Sequence, residues 1–551
     1  MNPRLALSLT ASVAVMLLAA PQLTQAAQPS LTGVVSSAEE GNMEGVVVSA
    51  HKDGSIITVS VTTDAQGRYT FPDNRLEPGK YNLEIRAVGY DISAPTTAQV
   101  AADKTASADI KLVKTKDLAS QLTNAEWMMS IPGTDDQKAM LLNCTSCHTV
   151  QRIVRSTHDA NEFMNDVLPR MSGYGAVSQP IKPQRMLDTA RTGSPEQYRR
   201  MAEYLATINL STVDHWQYQL RTLPRPTGRS TRAIVTEYAL GRPTIEPHDV
   251  LVQDGKVWYT DFGSMYIGEF DPKTLKLTEH PITTYKPGAP VGLLSIQPDR
   301  DGKLWFDTMY QGALGSLDPK TKEIKYYPLD PKWNDVRVQL NFVGLHHEVD
   351  NKVWTKSVGT QDIFRVDLTT GVWEKFHPTD SLPKLAGGNY GIYQVASDSH
   401  NNLWMAEFTE GHLGKIDAKT LEVTWFAPPT AHARLRRMVI DENDQVIVTE
   451  YRGNKVAVFD PKTEKFTEYA LPTQFTNPYR ADFDKNGEIW TGGMATDRVV
   501  RYNPKTLQNV EYMMPKDTNM RTVFIDNSTN PVTFWVGSNH DAALVKVEPL
   551  D

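Results

Sequence analysis

The stretch LLNCTSCHTVQRIV, residues 141–154, contains both cysteines of a 551-residue chain. Cys144 and Cys147 lie about one helical turn apart, and His148 follows directly. At this C-x-x-C-H spacing two thiols can add to the two vinyl groups of one porphyrin, and the adjacent imidazole can take the iron as proximal ligand. The sequence therefore predicts covalently attached haem c, with Cys144 and Cys147 as thioether residues and His148 as an axial iron ligand. A redox dithiol of the thioredoxin kind would need a βαβ context, which is not visible here. With both thiols committed to haem, disulfides are excluded.

Haem attachment of this type takes place outside the cytoplasm, and the N-terminus agrees. Arg4 precedes an apolar run from Leu5 to Ala20, and the small residues Thr24 and Ala26 stand where a signal peptidase reads. Residues 1–26 are expected to be a cleaved signal peptide, delivering the chain to the periplasm. The run is short and alanine-rich for a membrane anchor, and no later segment has 18 consecutive apolar residues. The net charge of -8 is spread without long runs, which argues against a nucleic-acid or anionic-membrane surface. The 34 Gly, 34 Pro and 11 Trp favour turn-rich β structure over helix bundles.

Three segments with different patterning must position the motif. Residues 28–113 alternate apolar and polar residues between D-x-x-G and P-G turns, as expected of a β-sandwich. The run TTDAQGRYTF…LEPGKYNLEIRAVGY resembles the carboxypeptidase regulatory-like domain, with Gly67, Tyr69, Pro78, Gly79 and Tyr81 at that family's turn and core-aromatic positions. Such a module implies docking or spacing rather than catalysis. Residues 119–210 read as helical, including a helix leading into the cysteine motif and a closing helix ending in YLATINL. This pattern resembles a class I cytochrome c domain. The resemblance places a sixth iron ligand in the loop before the last helix, for which Met171 in LPRMSGYG is the choice and Met186 and His158 are rivals.

From Thr231 to the last residue, 551, a unit repeats. Its turn residues Asp271, Asp318, Asp367, Asp417, Asp460 and Asn503 recur at intervals of 47, 49, 50, 43 and 43. Four short strands per unit at this period define propeller blades. The seventh unit stops one strand short, and IVTEYAL (234–240) matches the fourth strand FTEYAL of the fifth, so an early strand is expected to close the ring. The expected fold is mainly β and multidomain: an N-terminal β-sandwich, a small α-helical cytochrome c domain and a seven-bladed β-propeller over 231–551.

The starts of the innermost strands align as PHDV, PVGL, FVGL, NYGI, LRRM, PYRA and NMRT. Arg437, Arg480 and Arg521 stand at one level, beside His248, Tyr390, Arg436 and Tyr479. Guanidiniums converging on the channel must be satisfied by carboxylates, for which Asp261, Glu407 and Glu450 are candidates, or by an anionic ligand. The repeats resemble the streptogramin (virginiamycin B) lyase-like propellers. That resemblance implies a histidine base and a glutamate-held Mg²⁺, matched here by His248 and Glu246 in the EPH segment, with Asp261 at the following strand end. The family's additional histidine is missing, with Met520 and Val291 in its places, so a divalent ion (Mg²⁺ or Ca²⁺) is retained as an expectation and the elimination reaction is put in doubt.

The leading expectation is a periplasmic haem c oxidoreductase or electron-transfer protein. Its propeller would bind a small, anionic organic substrate or a redox partner, such as a periplasmic electron carrier or respiratory complex. His248, Arg437, Arg480, Arg521 and Asp261 form the candidate catalytic set. The alternatives are a C–O lyase using a His base and a divalent metal, and a non-catalytic docking scaffold.

Overall fold

The computed structural model describes residues 30–177, 182–187, 195–385 and 389–551. The expected signal peptide lies outside them. The fold is mainly β. Its N-terminal domain packs two sheets, one built on Leu31–Ser37 and Ile110–Lys114, the other on Ile57–Thr62, Val47–Lys52, Gly79–Arg86 and Thr96–Val100. The alternation seen in the sequence buries Val35, Tyr69, Phe71, Tyr81, Leu83 and Ile110 between them. The D-x-x-G turn forms as expected: Asp64 Oδ1 accepts from the backbone of Gln66 and Arg68, and Gly67 adopts φ 70° where a Cβ would lie 2.7 Å from the Met43 nitrogen.

Six four-stranded sheets form blades 1 to 6, over 247–281, 296–328, 340–376, 392–426, 435–470 and 478–513. Blade 7 combines Val523–Asp526, Thr533–Ser538 and Ala543–Pro549 with the early strand Ala233–Ala239, so the ring closes with a strand from its own N-terminal end. The periodic Asp and Asn residues make the turns: Asp271, Asp318, Asp367, Asp417 and Asn503 each accept from two backbone N–H groups just ahead in the chain.

One connection was not legible in the sequence. Ala233–Ala239 also pairs with Ile57–Thr62 of the sandwich, with Thr236 opposite Val59, so blade 7 and one sandwich sheet form a single eight-stranded sheet. The outer edge of blade 7 is thereby covered by backbone hydrogen bonds instead of facing water. Buried or half-buried ion pairs also fasten the sandwich to the propeller, Arg86 to Asp497 of blade 6 at 2.8 Å and Arg75 to Glu548 of blade 7 at 2.9 Å. The N-terminal module is thus continuous with the propeller rather than a loose spacer.

The helical segment sits on the propeller face where the innermost strands begin. Its helix Asn124–Ser130 starts with a capping box between Thr123 and Glu126. The expected helix into the cysteines is shorter than the sequence suggested: Asp135–Ala139 is α-helical, followed by 3₁₀ turns at Met140–Leu142 and Cys144–Ser146. The closing helix Pro195–Ile208 buries Ala202, Tyr204, Leu205 and Ile208. Trp127, Leu141, Val150, Phe163 and Leu205 share one apolar cluster with Tyr451, Tyr479 and Met494 of the propeller, so the segment and the propeller mouth form a common core.

Candidate functional site at the propeller mouth

The innermost strands of blades 1, 4, 5 and 6 each begin with a β-bulge, at Pro247/Val250, Ile392/Gln394, Leu435/Met438 and Pro478/Ala481. A bulge sets two residues against one on the neighbouring strand and re-aims their side chains. It allows consecutive side chains, His248 with Asp249 and Arg436 with Arg437, both to be buried at the mouth. The register also corrects the sequence alignment in blade 4. Ile392 faces Glu407 as Pro247 faces Asp261, so Tyr393 rather than Tyr390 is the counterpart of His248, Arg436 and Tyr479.

These residues close the channel by bonding across it. Arg437 donates to both oxygens of Asp249, at 2.7 and 2.8 Å, with side chains 2% and 3% exposed. Thr522 from blade 7 donates to the same carboxylate. The expected partners of the arginines are elsewhere. Asp261 pairs with Arg242 at 3.3 Å, Glu407 accepts the loop N–H groups of Thr409, Glu410 and Gly411, and burial, together with the neighbouring Glu468, pushes the Glu450 carboxyl up to about 8. Asp249 was in view as an inner-strand residue, but nothing in the sequence showed that a blade 1 carboxylate reaches blade 5.

Asp249 Oδ1 also lies 2.8 Å from His248 Nδ1, and a carboxylate can only accept, so Nδ1 carries the proton and Nε2 accepts from Tyr479 Oη at 3.2 Å. The Tyr479 hydroxyl is 2.8 Å from that of Tyr393, and Arg436 donates to Tyr393 Oη at 3.3 Å. One polarised chain therefore runs Arg436, Tyr393, Tyr479, His248, Asp249, Arg437. His248 is fully buried with both nitrogens engaged, and burial, only partly offset by Asp249, pulls it down to about 4. It is a neutral link in the chain and not an open base.

Arg436 has no carboxylate partner among the described residues. Its guanidinium lies 4.1 Å from the Tyr451 ring centre, 4.5 Å from Tyr479, 4.9 Å from Tyr393 and 5.7 Å from Phe408. Burial opposes ionisation of Tyr393, but Arg436, the Tyr479 hydroxyl, Arg521 and Arg437 outweigh it and hold this phenol below its ordinary range. Tyr479, sealed below it, is pushed the other way, chiefly by burial and by Tyr393. Arg480 lines the channel, its side chain 26% exposed and 3.7 Å from Asp482.

Glu246 and Asp261 do not suit a divalent cation. Asp261 is taken by Arg242 and by the N–H groups of Glu246 and Gly263. Burial and the Asp261 charge push Glu246 up to about 8, against the Lys182 and Arg521 cations that face it. Lys182 donates to Ser264 Oγ at 2.8 Å. Among the described residues no three His, Cys, Asp or Glu side chains gather as metal ligands.

The cysteine motif sits against this mouth. Arg521 donates to the carbonyl of Ser146, between the two cysteines. The amides of Cys147 and His148 both bond to the Cys144 carbonyl, at 3.1 and 3.3 Å, so one tight turn presents all three side chains. All three are half-buried, and Cys144 packs in the cluster that contains Tyr393 and Tyr479. Burial pushes the Cys144 thiol up to about 12, the opposite of what a reactive dithiol needs. His148 Nδ1 donates to the Thr149 carbonyl at 3.0 Å, which leaves Nε2 unprotonated, and burial favours its neutral form. That donor set fits a c-type haem. Met171 is 42% exposed on the last turn of the helix Leu168–Met171, Met186 packs in the Phe262–Phe342 cluster, and His158 lies 3.6 Å from Glu162.

Comparison with known proteins separates the parts. Residues 30–113 match the family model of the carboxypeptidase regulatory-like domain. No curated protein matches the chain in sequence. Among solved structures, a streptogramin B lyase is 19% identical and matches over 59% of this chain and 100% of its own, with a TM-score of 0.49. A virginiamycin B lyase from Staphylococcus aureus is 20% identical over 58% of this chain and 100% of its own, with a TM-score of 0.47. YCF48 bound to D1 peptide is 11% identical over 57% and 94%, with a TM-score of 0.43. Propellers of this kind host many chemistries.

Proposed function

We propose that the protein is a periplasmic haem c oxidoreductase whose helical segment is a cytochrome c domain docked on the propeller mouth. The observation that carries this reading is the bond from Arg521 to Ser146, which ties the C-x-x-C-H turn directly to the arginine and tyrosine cluster. A bound haem c supplies a one-electron centre. Cys144 and Cys147 would hold it, and His148, with its Nδ1 fixed by Thr149, would offer Nε2 to the iron. Met171 would be the second residue to hold the iron, since it is exposed while Met186 is engaged in packing. The mouth would hold a small anionic organic substrate against Arg436 and Arg480, and a periplasmic carrier would receive the electrons.

A lyase reading has one observation in its favour, the His248–Asp249 pair, which resembles an oriented base. Against it stand the engaged Nε2 of His248 and the poor metal set at Glu246. Three measurements on the purified holoprotein decide. Small molecules that reduce the haem, read in its visible spectrum, support the oxidoreductase. Turnover that needs Mg²⁺ and ignores haem reduction contradicts it and supports the lyase. A haem protein that responds to no small molecule, yet binds a redox protein, returns the propeller to a docking role.

A further inference from the structure

A second opening lies on the face of the mouth, over blades 3 and 4. It is a cleft of about 1000 Å³, at the top of the usual range for small-molecule sites. One wall is the loop 332–337 that leads into blade 3, and the floor is the turn 359–362 between the second and third strands of that blade. The opposite wall is formed by 379–385 and by Asn389 and Tyr390 at the entry to blade 4. The helical segment is bonded to other blades: Ala176 to Tyr310 of blade 2, Asp136 to Arg452 of blade 5, Ala125 to Ala495 of blade 6 and Ser146 to Arg521 of blade 7. Among the described residues, none that lines the cleft belongs to that segment. The walls are tied together before any ligand arrives. Gln361 accepts from the Ile392 amide at 2.9 Å and donates to the Val358 carbonyl, which fixes the floor to blade 4. Gly359 runs so close to the first wall that a Cβ there would lie 1.8 Å from the Arg337 carbonyl oxygen.

The charges of the cleft are engaged with one another. Lys332 pairs with Asp330 at 2.9 Å, Arg337 with Asp335 at 2.8 Å, and Lys375 and His377 both reach Asp362 at 3.1 Å. Lys384 and Asp380 cancel in the sum. An anionic ligand would need unpaired cations here, and a cationic one unpaired carboxylates. The groups left without partners are neutral. Tyr390 is only 9% exposed and its ring packs on His412, yet its hydroxyl bonds to no described residue. The Trp333 N–H has no acceptor among the described residues, whereas nearby Trp373 donates to the Pro328 carbonyl at 2.9 Å. The Asn389 amide is likewise unbonded among the described residues. A phenol and an amide that donate and accept, beside an indole that donates, match a ligand rich in neutral hydroxyl groups.

We propose that this cleft binds a short neutral oligosaccharide, whose hydroxyl groups bond to Tyr390, Trp333 and Asn389. Tyr390, which the sequence alignment set among the channel residues, faces this cleft instead. The site is separate from the arginine and tyrosine cluster of the mouth and does not rest on the haem reading.

The test is isothermal titration of the full-length protein with three neutral trisaccharides, maltotriose, cellotriose and triacetylchitotriose. At least one is expected to bind. Tyr390→Phe removes the hydroxyl and keeps the ring, and should weaken that binding about 5-fold, the loss of one neutral hydrogen bond. Trp333→Phe should weaken it by a similar factor, and Arg480→Ala, in the channel, should leave it unchanged. Binding of none of the three, an unchanged affinity in Tyr390→Phe, or a loss in Arg480→Ala would overturn the proposal. Tighter binding of trigalacturonate or of the peptide Gly-Ser-Gly would overturn it as well.

Discussion

Arg437 of blade 5 and Asp249 of blade 1 join through two hydrogen bonds of 2.7 and 2.8 Å, although their blades are not neighbours in the ring. The pair therefore crosses the channel and ties opposite sides of the propeller together. Asp249 is held well below the carboxylate range by Arg437 and His248, which overcome the cost of its burial. Replacing it with Asn leaves a buried guanidinium uncompensated and should cost about 3–5 kcal/mol. Denaturant unfolding of Asp249→Asn measures this, and the double variant Asp249→Leu with Arg437→Met should recover most of the loss.

The same carboxylate sets an acid limit. Because its folded pKa is depressed, its contribution is complete above the ordinary aspartate range and is lost as pH falls toward the folded value. Wild type should lose stability on acidification more steeply than Asp249→Asn, as read by thermal unfolding across acid pH.

Glu246 behaves in the opposite sense. Its carboxyl is pushed up to about 8 by burial and by Asp261, so between the ordinary glutamate range and pH 8 the folded state holds a proton that the unfolded state has released. Stability contributed by this site falls as pH rises through that window. Glu246→Gln should be nearly neutral at pH 4 and stabilising, on the order of 2 kcal/mol, at pH 8. A Mg²⁺-dependent rise in the melting temperature of wild type, lost in Glu246→Gln, would instead show a metal site.

Continuity of the sandwich with blade 7 gives a structural prediction. Removing residues 28–113 uncovers the outer edge of Ala233–Ala239 and breaks the Arg86–Asp497 and Arg75–Glu548 pairs. The truncated chain should melt lower and self-associate through that edge in size-exclusion chromatography. Unchanged melting would return the module to the spacer role suggested by its sequence.

The repeat, its turns and the closing strand were legible because they rest on local rules, a 43 to 50-residue period and side chains that bond their own backbone a few residues on. The C-x-x-C-H spacing is local in the same way, and the structure places its three residues on one turn. Three relationships were not. Tyr393 was hidden because the alignment of blade 4 slipped by three residues, and only the pairing of Ile392 with Glu407 fixes the bulge. Asp249 looked like one more inner-strand residue until the ring brought it opposite Arg437. The strand Ala233–Ala239 was foreseen as closing blade 7, but its second pairing to the sandwich depends on an edge formed far away in sequence.

The central claim is that the turn holding Cys144, Cys147 and His148 carries haem against the propeller mouth. Its most direct test is the pyridine haemochrome spectrum of the protein matured with a working haem-attachment system, taken on wild type and Cys144→Ala. The account predicts the α-band of a haem with two thioether links in wild type and a band shifted toward one link in the variant. A colourless wild-type protein would contradict it.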